Sequence, residues 1–218
     1  MFNDRRDAGV QLAERLKEYR DRHDVLVLAL PRGGAVTGSE IASRLNALFD
    51  IIIVRKLGFP GQPELAIGAV AETGTVVLNH DIISMFTITD EYIQAEVSRQ
   101  NEEIARRIER YRGGASLTGL RGKTVILVDD GVATGATMKA AITALRKEEI
   151  GRMVVAVPVA PPETAEVLKH MADEFICMET PLSFMSVGSY YRDFTQVTDE
   201  EVVALLQESM ALSAARNG

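Results

Sequence analysis

No stretch of the chain approaches the roughly 20 consecutive apolar residues that a membrane-spanning helix needs. The opening residues, Met1-Phe2-Asn3-Asp4-Arg5-Arg6-Asp7, also lack the apolar centre of a secretory signal. Both absences predict a cytoplasmic protein with no membrane partner. A second cysteine is missing as well. Cys177 stands alone, which excludes an internal disulfide, and no Cys or His lies near it at metal-ligand spacing. It reads as a buried structural thiol, and no zinc site is implied. Nor is there an excess of positive charge: 31 acidic against 24 basic residues give a formal charge of −7, whose field repels phosphodiester backbones and anionic lipid. No nucleic-acid partner is expected. An acidic protein that takes a polyanionic small molecule must hold it with local devices, namely helix N-termini, runs of backbone N–H, a few placed cations and a divalent metal.

Low-complexity tracts and internal repeats are absent too. The 218 residues suffice for one sizeable core and are short for two, so a single domain over residues 1–218 is expected. An amphipathic helix is predicted over 5–22, with Val10, Ala13 and Leu16 on one face. Four short apolar runs, at 25–30, 51–54, 125–128 and 154–157, read as strands buried on both faces. Helical stretches at 36–47, 90–112, 135–147 and 162–171 separate them, which implies parallel β-α-β units and an open α/β sheet flanked by helices. Glu72-Thr73-Gly74-Thr75 marks the turn of a hairpin within 69–79. Thr198, three residues before Glu201, opens a last helix with a capping box.

The most informative stretch is Val125-Ile126-Leu127-Val128-Asp129-Asp130-Gly131-Val132-Ala133-Thr134-Gly135-Ala136-Thr137. A buried strand ends on two carboxylates, and the chain turns into a helix. Ligands of open α/β sheets bind outside the carboxyl ends of the strands, where this loop falls. Backbone N–H groups of 131–137 would surround a phosphate at the positive end of the helix, with the Thr134 and Thr137 hydroxyls as further donors. Asp129 and Asp130 could then accept from a sugar diol, or hold it through Mg²⁺ and water. A lone Asp-Gly would read as a helix cap and a turn; the full pattern is far more restrictive.

This pattern resembles the motif with which type I phosphoribosyltransferases bind 5-phosphoribosyl-1-pyrophosphate (PRPP), and the order of elements is similar to that family's core over about residues 25–178. The resemblance implies a loop for pyrophosphate after the first core strand. Ala29-Leu30-Pro31-Arg32-Gly33-Gly34 occupies that place, and the family often has a strained or cis peptide there. Arg32 offers a planar set of donors, while Gly33 and Gly34 permit unusual backbone angles and close approach. The second strand is read as ending Val54-Arg55-Lys56, which makes Lys56 the second cation. Residues 57–66, too rich in Gly and Pro for a regular element, become a mobile lid. Glu72-Thr73-Gly74 is either a structural turn or a further part of the site. A hood over 179–197 is implied, with Thr180 to Phe194 as the base-holding segment and Tyr190 and Tyr191 as stacking contacts. Members that use hypoxanthine or guanine usually carry an acid where this loop has Ala133. Alanine transfers no proton, so a 6-oxopurine is disfavoured.

The implied function is transfer of the phosphoribosyl group of Mg-PRPP to a small nitrogen heterocycle, with pyrophosphate as product and Mg²⁺ as cofactor. Arg32 and Lys56 are the expected catalytic cations. Two other classes stay open: a PRPP- or nucleotide-sensing regulator, and a phosphohydrolase of a ribose phosphate. A homodimer is left open as well.

Overall fold

In the computed structural model three of the four apolar runs are strands buried along almost their whole length, because helices cover both faces of the sheet they form. The structure describes residues 1–216, with the backbone course alone at 63, 64 and 213–216. In chain order the elements are α1 (Arg5–Arg15), β1 (Val25–Ala29), α2 (Gly33–Leu45), β2 (Leu48–Ile51), β3 (Val54–Phe59), β4 (Gln62–Ala71), β5 (Val76–Leu78), α3 (His80–Met85), α4 (Asp90–Arg112), β6 (Thr124–Val128), α5 (Ala136–Lys147), β7 (Arg152–Val159), α6 (Pro162–Met171), β8 (Glu174–Glu179) and α7 (Asp199–Arg216). Five strands make the parallel sheet in the order β2-β1-β6-β7-β8, and β3-β4-β5 make a separate antiparallel sheet. The α/β class, the open parallel sheet and the flanking helices are those expected.

Alternation along the strands divides the core in two. Val25, Val27, Ile126, Val128 and Val154 face a cluster with Leu12, Leu16, Ile41, Leu45 and Val202 from α1, α2 and α7. Their neighbours Leu26, Leu28, Val125, Leu127 and Val155 face Met138, Ile142, Leu145 and Leu168 from α5 and α6. Each face removes apolar surface from water at about 25 cal/mol per Å². The same sandwiching aims the C-terminal ends of β1 and β6, neighbours in the sheet with Ala29 opposite Val128, at one edge of the molecule.

Four boundaries differ from the sequence expectation. The first helix stops at Arg15, and a 3-10 turn at Lys17–Tyr19 follows. It buries the Tyr19 ring and sends its hydroxyl to Glu174. The run 51–54 straddles the end of β2 and the start of β3. Ile51, Ile52 and Ile53 are all buried, so hydrophobicity alone gives no mark of the break. Lys56 therefore lies inside the first strand of a hairpin rather than at the end of a sheet strand. Residues 57–66 are not irregular either, since β3 and β4 pair across them with register shifts at Leu57, Gly58 and Phe59 and a tip at Pro60 and Gly61. Position 63 is tolerated because β5 pairs only with Gly68, Ala69 and Val70, which leaves an open edge where a missing N–H costs little. Finally, α2 begins at Gly33, three residues before its expected start. The capping box holds: Glu201 N–H donates to Thr198 Oγ1 at 3.2 Å, and Thr198 N–H to Glu201 Oε2 at 2.7 Å. Among the described residues no helix is long and apolar enough to cross a membrane.

Candidate functional site

Two loops meet where β1 and β6 end. The first contains a cis peptide between Pro31 and Arg32 and runs into α2. The second, 129–137, is held from behind: Val132 N–H donates to Val159 O at 2.9 Å and Thr164 Oγ1 to Ala133 O at 2.8 Å. Gly135 stands at the N-cap of α5 with φ +75°, and no side chain caps that helix. Its first N–H groups therefore look outward with the dipole behind them and the Thr134 and Thr137 hydroxyls beside them.

The loops are packed against one another through Gly33 and Gly34. A Cβ on Gly33 would overlap the Asp130 carboxylate, and one on Gly34 would lie 2.9 Å from Asp129 Cα. Both glycines are helical, with no unusual backbone angle. What they supply is the close approach of α2 to the acidic pair, not conformational freedom. Asp129 Oδ1 accepts from Asp130 N–H at 2.8 Å. Burial foremost, then the Asp130 carboxylate beside it, holds the Asp129 carboxyl well above the ordinary carboxylate pKa. Asp130 is met by Arg5 of α1, whose Nε lies 2.6 Å from Oδ2. Among the described residues no three His, Cys, Asp or Glu side chains gather as a metal cage.

A cleft of about 420 Å³ lies beside these loops. It is lined by Pro31 of the first loop, Thr137 at the start of α5, Arg55, Lys56 and Gly58 of β3, and Glu96, Arg99, Gln100 and Arg107 of α4. Four cations face one carboxylate there. That carboxylate is already engaged: Glu96 accepts from Arg99 at 2.7 Å, Gln100 at 2.9 Å and Gly58 N–H at 3.3 Å. Arg55 donates to the neutral Gln100 at 2.9 Å. Burial foremost, then the nearby Arg107, pulls its guanidinium below the ordinary pKa. Arg107 is paired with Glu103 at 2.8 Å, and four cations gathered in one cleft of a protein of net charge −7 are the kind of local device with which an acidic protein can meet a polyanion.

The residues singled out from the sequence divide accordingly. Lys56, Thr137 and the residue preceding Arg32 line one cleft. The Arg32 side chain itself is turned toward α7, with Nη1 3.8 Å from Asp199 Oδ1. Tyr190 is half-buried, stacks on Phe184 with centroids 5.7 Å apart, and donates to Ser183 O at 3.1 Å. Tyr191 lies beneath the loop: it is buried, its ring touches those of Phe2 and Phe194, and its hydroxyl donates to Asp130 O. Its ring is a support for the loop rather than an open face for a base. Glu72 does not face the cleft either. Its side chain is buried, paired with Arg112, and accepts from Ile53 N–H at 2.8 Å. Cys177 is half-buried, and burial pushes its thiol up to about 11. Sequence reasoning missed Arg5, Arg55, Arg99 and Arg107. The excess of Arg along 99–112 was a signal for two of them; nothing local pointed to Arg5.

The phosphoribosyl transferase domain model matches residues 6–195. Two Mycobacterium tuberculosis proteins, Rv0571c of strain H37Rv and MT0597 of strain CDC 1551, are each 44% identical over 209 residues, 96% of this chain and 47% of theirs. Both are named, provisionally, as phosphoribosyl transferases. The chain thus spans about half the length of these curated relatives. The crystal structure of TT1426 from Thermus thermophilus is 46% identical, covers 95% of this chain and 98% of its own, and superimposes with a TM-score of 0.81.

Proposed function

The chain belongs to the phosphoribosyl transferase domain family, and from that premise we propose that it transfers the 5-phosphoribosyl group of Mg-PRPP to a nitrogen nucleophile, with release of pyrophosphate. The observation that carries the reading is the shared cleft. Pro31, Lys56 and Thr137 come from three distant parts of the sequence and line one cavity together with Arg55, Arg99 and Arg107. The uncapped start of α5 takes the 5-phosphate, with the Thr134 and Thr137 hydroxyls as added donors. The Asp129–Asp130 pair accepts from the ribose diol. The cations on β3 and α4 take the diphosphate.

Each group has a definite task. As the C1–O bond to pyrophosphate breaks, positive charge grows on the ribose and negative charge on the leaving diphosphate. Lys56 and Arg55 are worth more in that state than before it, which is what lowers a barrier. Asp129 and Asp130 are too few to form a resident metal cage, and they fit an ion that is held mainly by substrate oxygens and water. Mg²⁺ accordingly enters with PRPP as part of the substrate and supplies further neutralisation of the diphosphate. The hairpin β3–β4 stands where a lid was expected, and its closing would exclude water. Within this reading residues 25–178 are the core and 179–197 the hood. The acceptor is a small nitrogen heterocycle. Ala133, which has no proton to transfer, speaks against a 6-oxopurine.

The test is chromatographic detection of nucleotide formed from PRPP, Mg²⁺ and a panel of purines, pyrimidines and other nitrogen heterocycles. One acceptor should give nucleotide and stoichiometric pyrophosphate. Lys56→Ala should then lower turnover by about 10²-fold, the size expected for one preorganised electrostatic group, while PRPP affinity changes much less. A protein that binds Mg-PRPP by calorimetry and makes no nucleotide with any acceptor is a sensor, and the transferase reading fails.

A further inference from the structure

We propose that Arg5 is a positioning residue of the ribose-phosphate site, acting through Asp130; the inference rests on the reading of that loop given above. The guanidinium is fixed on three sides. Nε lies 2.6 Å from Asp130 Oδ2, Nη1 donates to Thr195 O at 2.7 Å, and Cζ stands 3.8 Å over the Phe194 ring. The residue is only 8% exposed. An arginine buried this far is stable only if its charge is met, and the charge that meets it belongs to the carboxylate expected to read the sugar.

The surroundings leave Asp130 little freedom. The absence of a Cβ at Gly33 makes just enough room for the carboxylate, and Tyr191, held between Phe2 and Phe194, donates its hydroxyl to the Asp130 carbonyl. Arg5 occupies one carboxylate oxygen and so decides where the other points. It also offsets the charge of the Asp130 carboxylate beside a loop that must accept a phosphate. A helix at the start of the chain and the hood residues 191–195 are thereby joined to the sugar through a single side chain. A residue that merely tied α1 to the hood would have no reason to use the carboxylate of the ligand loop.

Arg5→Lys keeps the charge but has a single ammonium tip, which cannot reach Asp130 and Thr195 O while covering the Phe194 face. Calorimetry with ribose 5-phosphate, 2-deoxyribose 5-phosphate and inorganic phosphate separates the possibilities. The wild type should prefer ribose 5-phosphate over its 2-deoxy analogue by about tenfold, as for one hydrogen bond to a charged group. Arg5→Lys should lose most of that preference while binding inorganic phosphate within about twofold of the wild type, because the helix N-terminus is untouched. If Arg5→Lys keeps the full preference, the inference is overturned and the function proposed above stands. If the wild type binds ribose 5-phosphate no tighter than inorganic phosphate, that function fails and takes this inference with it. Should Arg5→Lys not fold, Phe194→Leu carries the same comparison. It removes the ring beneath the guanidinium and leaves the ion pair, so about a threefold loss of preference is expected; an undiminished preference overturns the inference.

Discussion

Gly33 carries a burden that its neighbours do not. A methyl group there would occupy the space of the Asp130 carboxylate and come within 2.9 Å of Arg5 Nε. Neither can yield cheaply, because they hold each other in a pair exposed by 14% and 10%. Gly33→Ala should therefore destabilise the fold by about 1–3 kcal/mol, the usual cost of overpacking, and weaken ribose 5-phosphate binding at the same time. Urea denaturation and calorimetry on one preparation check both; a variant with wild-type stability and affinity would mean that the carboxylate has another place to go. The sequence marked Gly33 as special but for the wrong reason. Pro-Arg-Gly-Gly reads as a loop in need of freedom, whereas the constraint comes from Asp130, 97 positions away (130 − 33). Arg5 was illegible on the same ground. Its helix looks polar on that side, and a cation there is ordinarily a solvated one.

At the scale of elements, the hairpin that bears Lys56 needs an anchor, because its three-stranded sheet is separate from the parallel one. Glu72, at the end of β4, supplies it by pairing with Arg112 at the end of α4, the two side chains being 3% and 2% exposed. Asp50 of β2 is 3.7 Å from the same guanidinium. Burial raises both carboxyls above their ordinary pKa; even so, the pair is worth keeping intact, since removing one partner strands the other charge. Glu72→Ala should cost about 3–5 kcal/mol. Glu72→Ala with Arg112→Met should recover much of it, measured by chemical denaturation. A single variant that loses less than about 1 kcal/mol would assign the anchoring to the surrounding apolar contacts instead. Of these elements the sequence disclosed β1, β6, β7, the longer helices and the 72–75 turn, because each is periodic or carries its own turn chemistry; it misplaced β2 and passed over the short α3. It concealed the strand pairing over 57–66. Two glycines and two prolines in one stretch argue for irregular chain; Pro60 and Gly61 form the tip, Gly58 sits at a register shift, and the open edge of β4 accommodates position 63.

Across the whole molecule the charge distribution is divided against itself. The formal charge is −7, yet Arg55, Lys56, Arg99 and Arg107 share a cleft with Glu96 as the sole acid among its lining residues. The sequence marked the 129–137 loop as a candidate phosphate site because strand, carboxylates, glycines and threonines are contiguous. Of the cationic wall only Lys56 was singled out, since the rest is assembled from Arg55 of β3 and from successive turns of α4, whose excess of Arg reads first as the polar face of a long helix. The consequence is measurable through salt. A ligand held by backbone N–H groups and hydroxyls is screened weakly, whereas a diphosphate facing four partly exposed cations loses attraction as the Debye length falls from about 10 Å at 0.1 M to about 3 Å at 1 M. In the proposed reading ribose 5-phosphate engages the loop alone, and PRPP the loop and the wall. Between 0.05 and 0.5 M salt PRPP affinity should therefore fall by about tenfold more than that of ribose 5-phosphate, and Arg55→Gln should shrink the difference by removing the cation that its neighbours already disfavour. Calorimetric titrations of both ligands at the two salt concentrations decide it. Parallel losses for the two ligands would place the diphosphate elsewhere and leave the arginines of α4 as partners of their own helix.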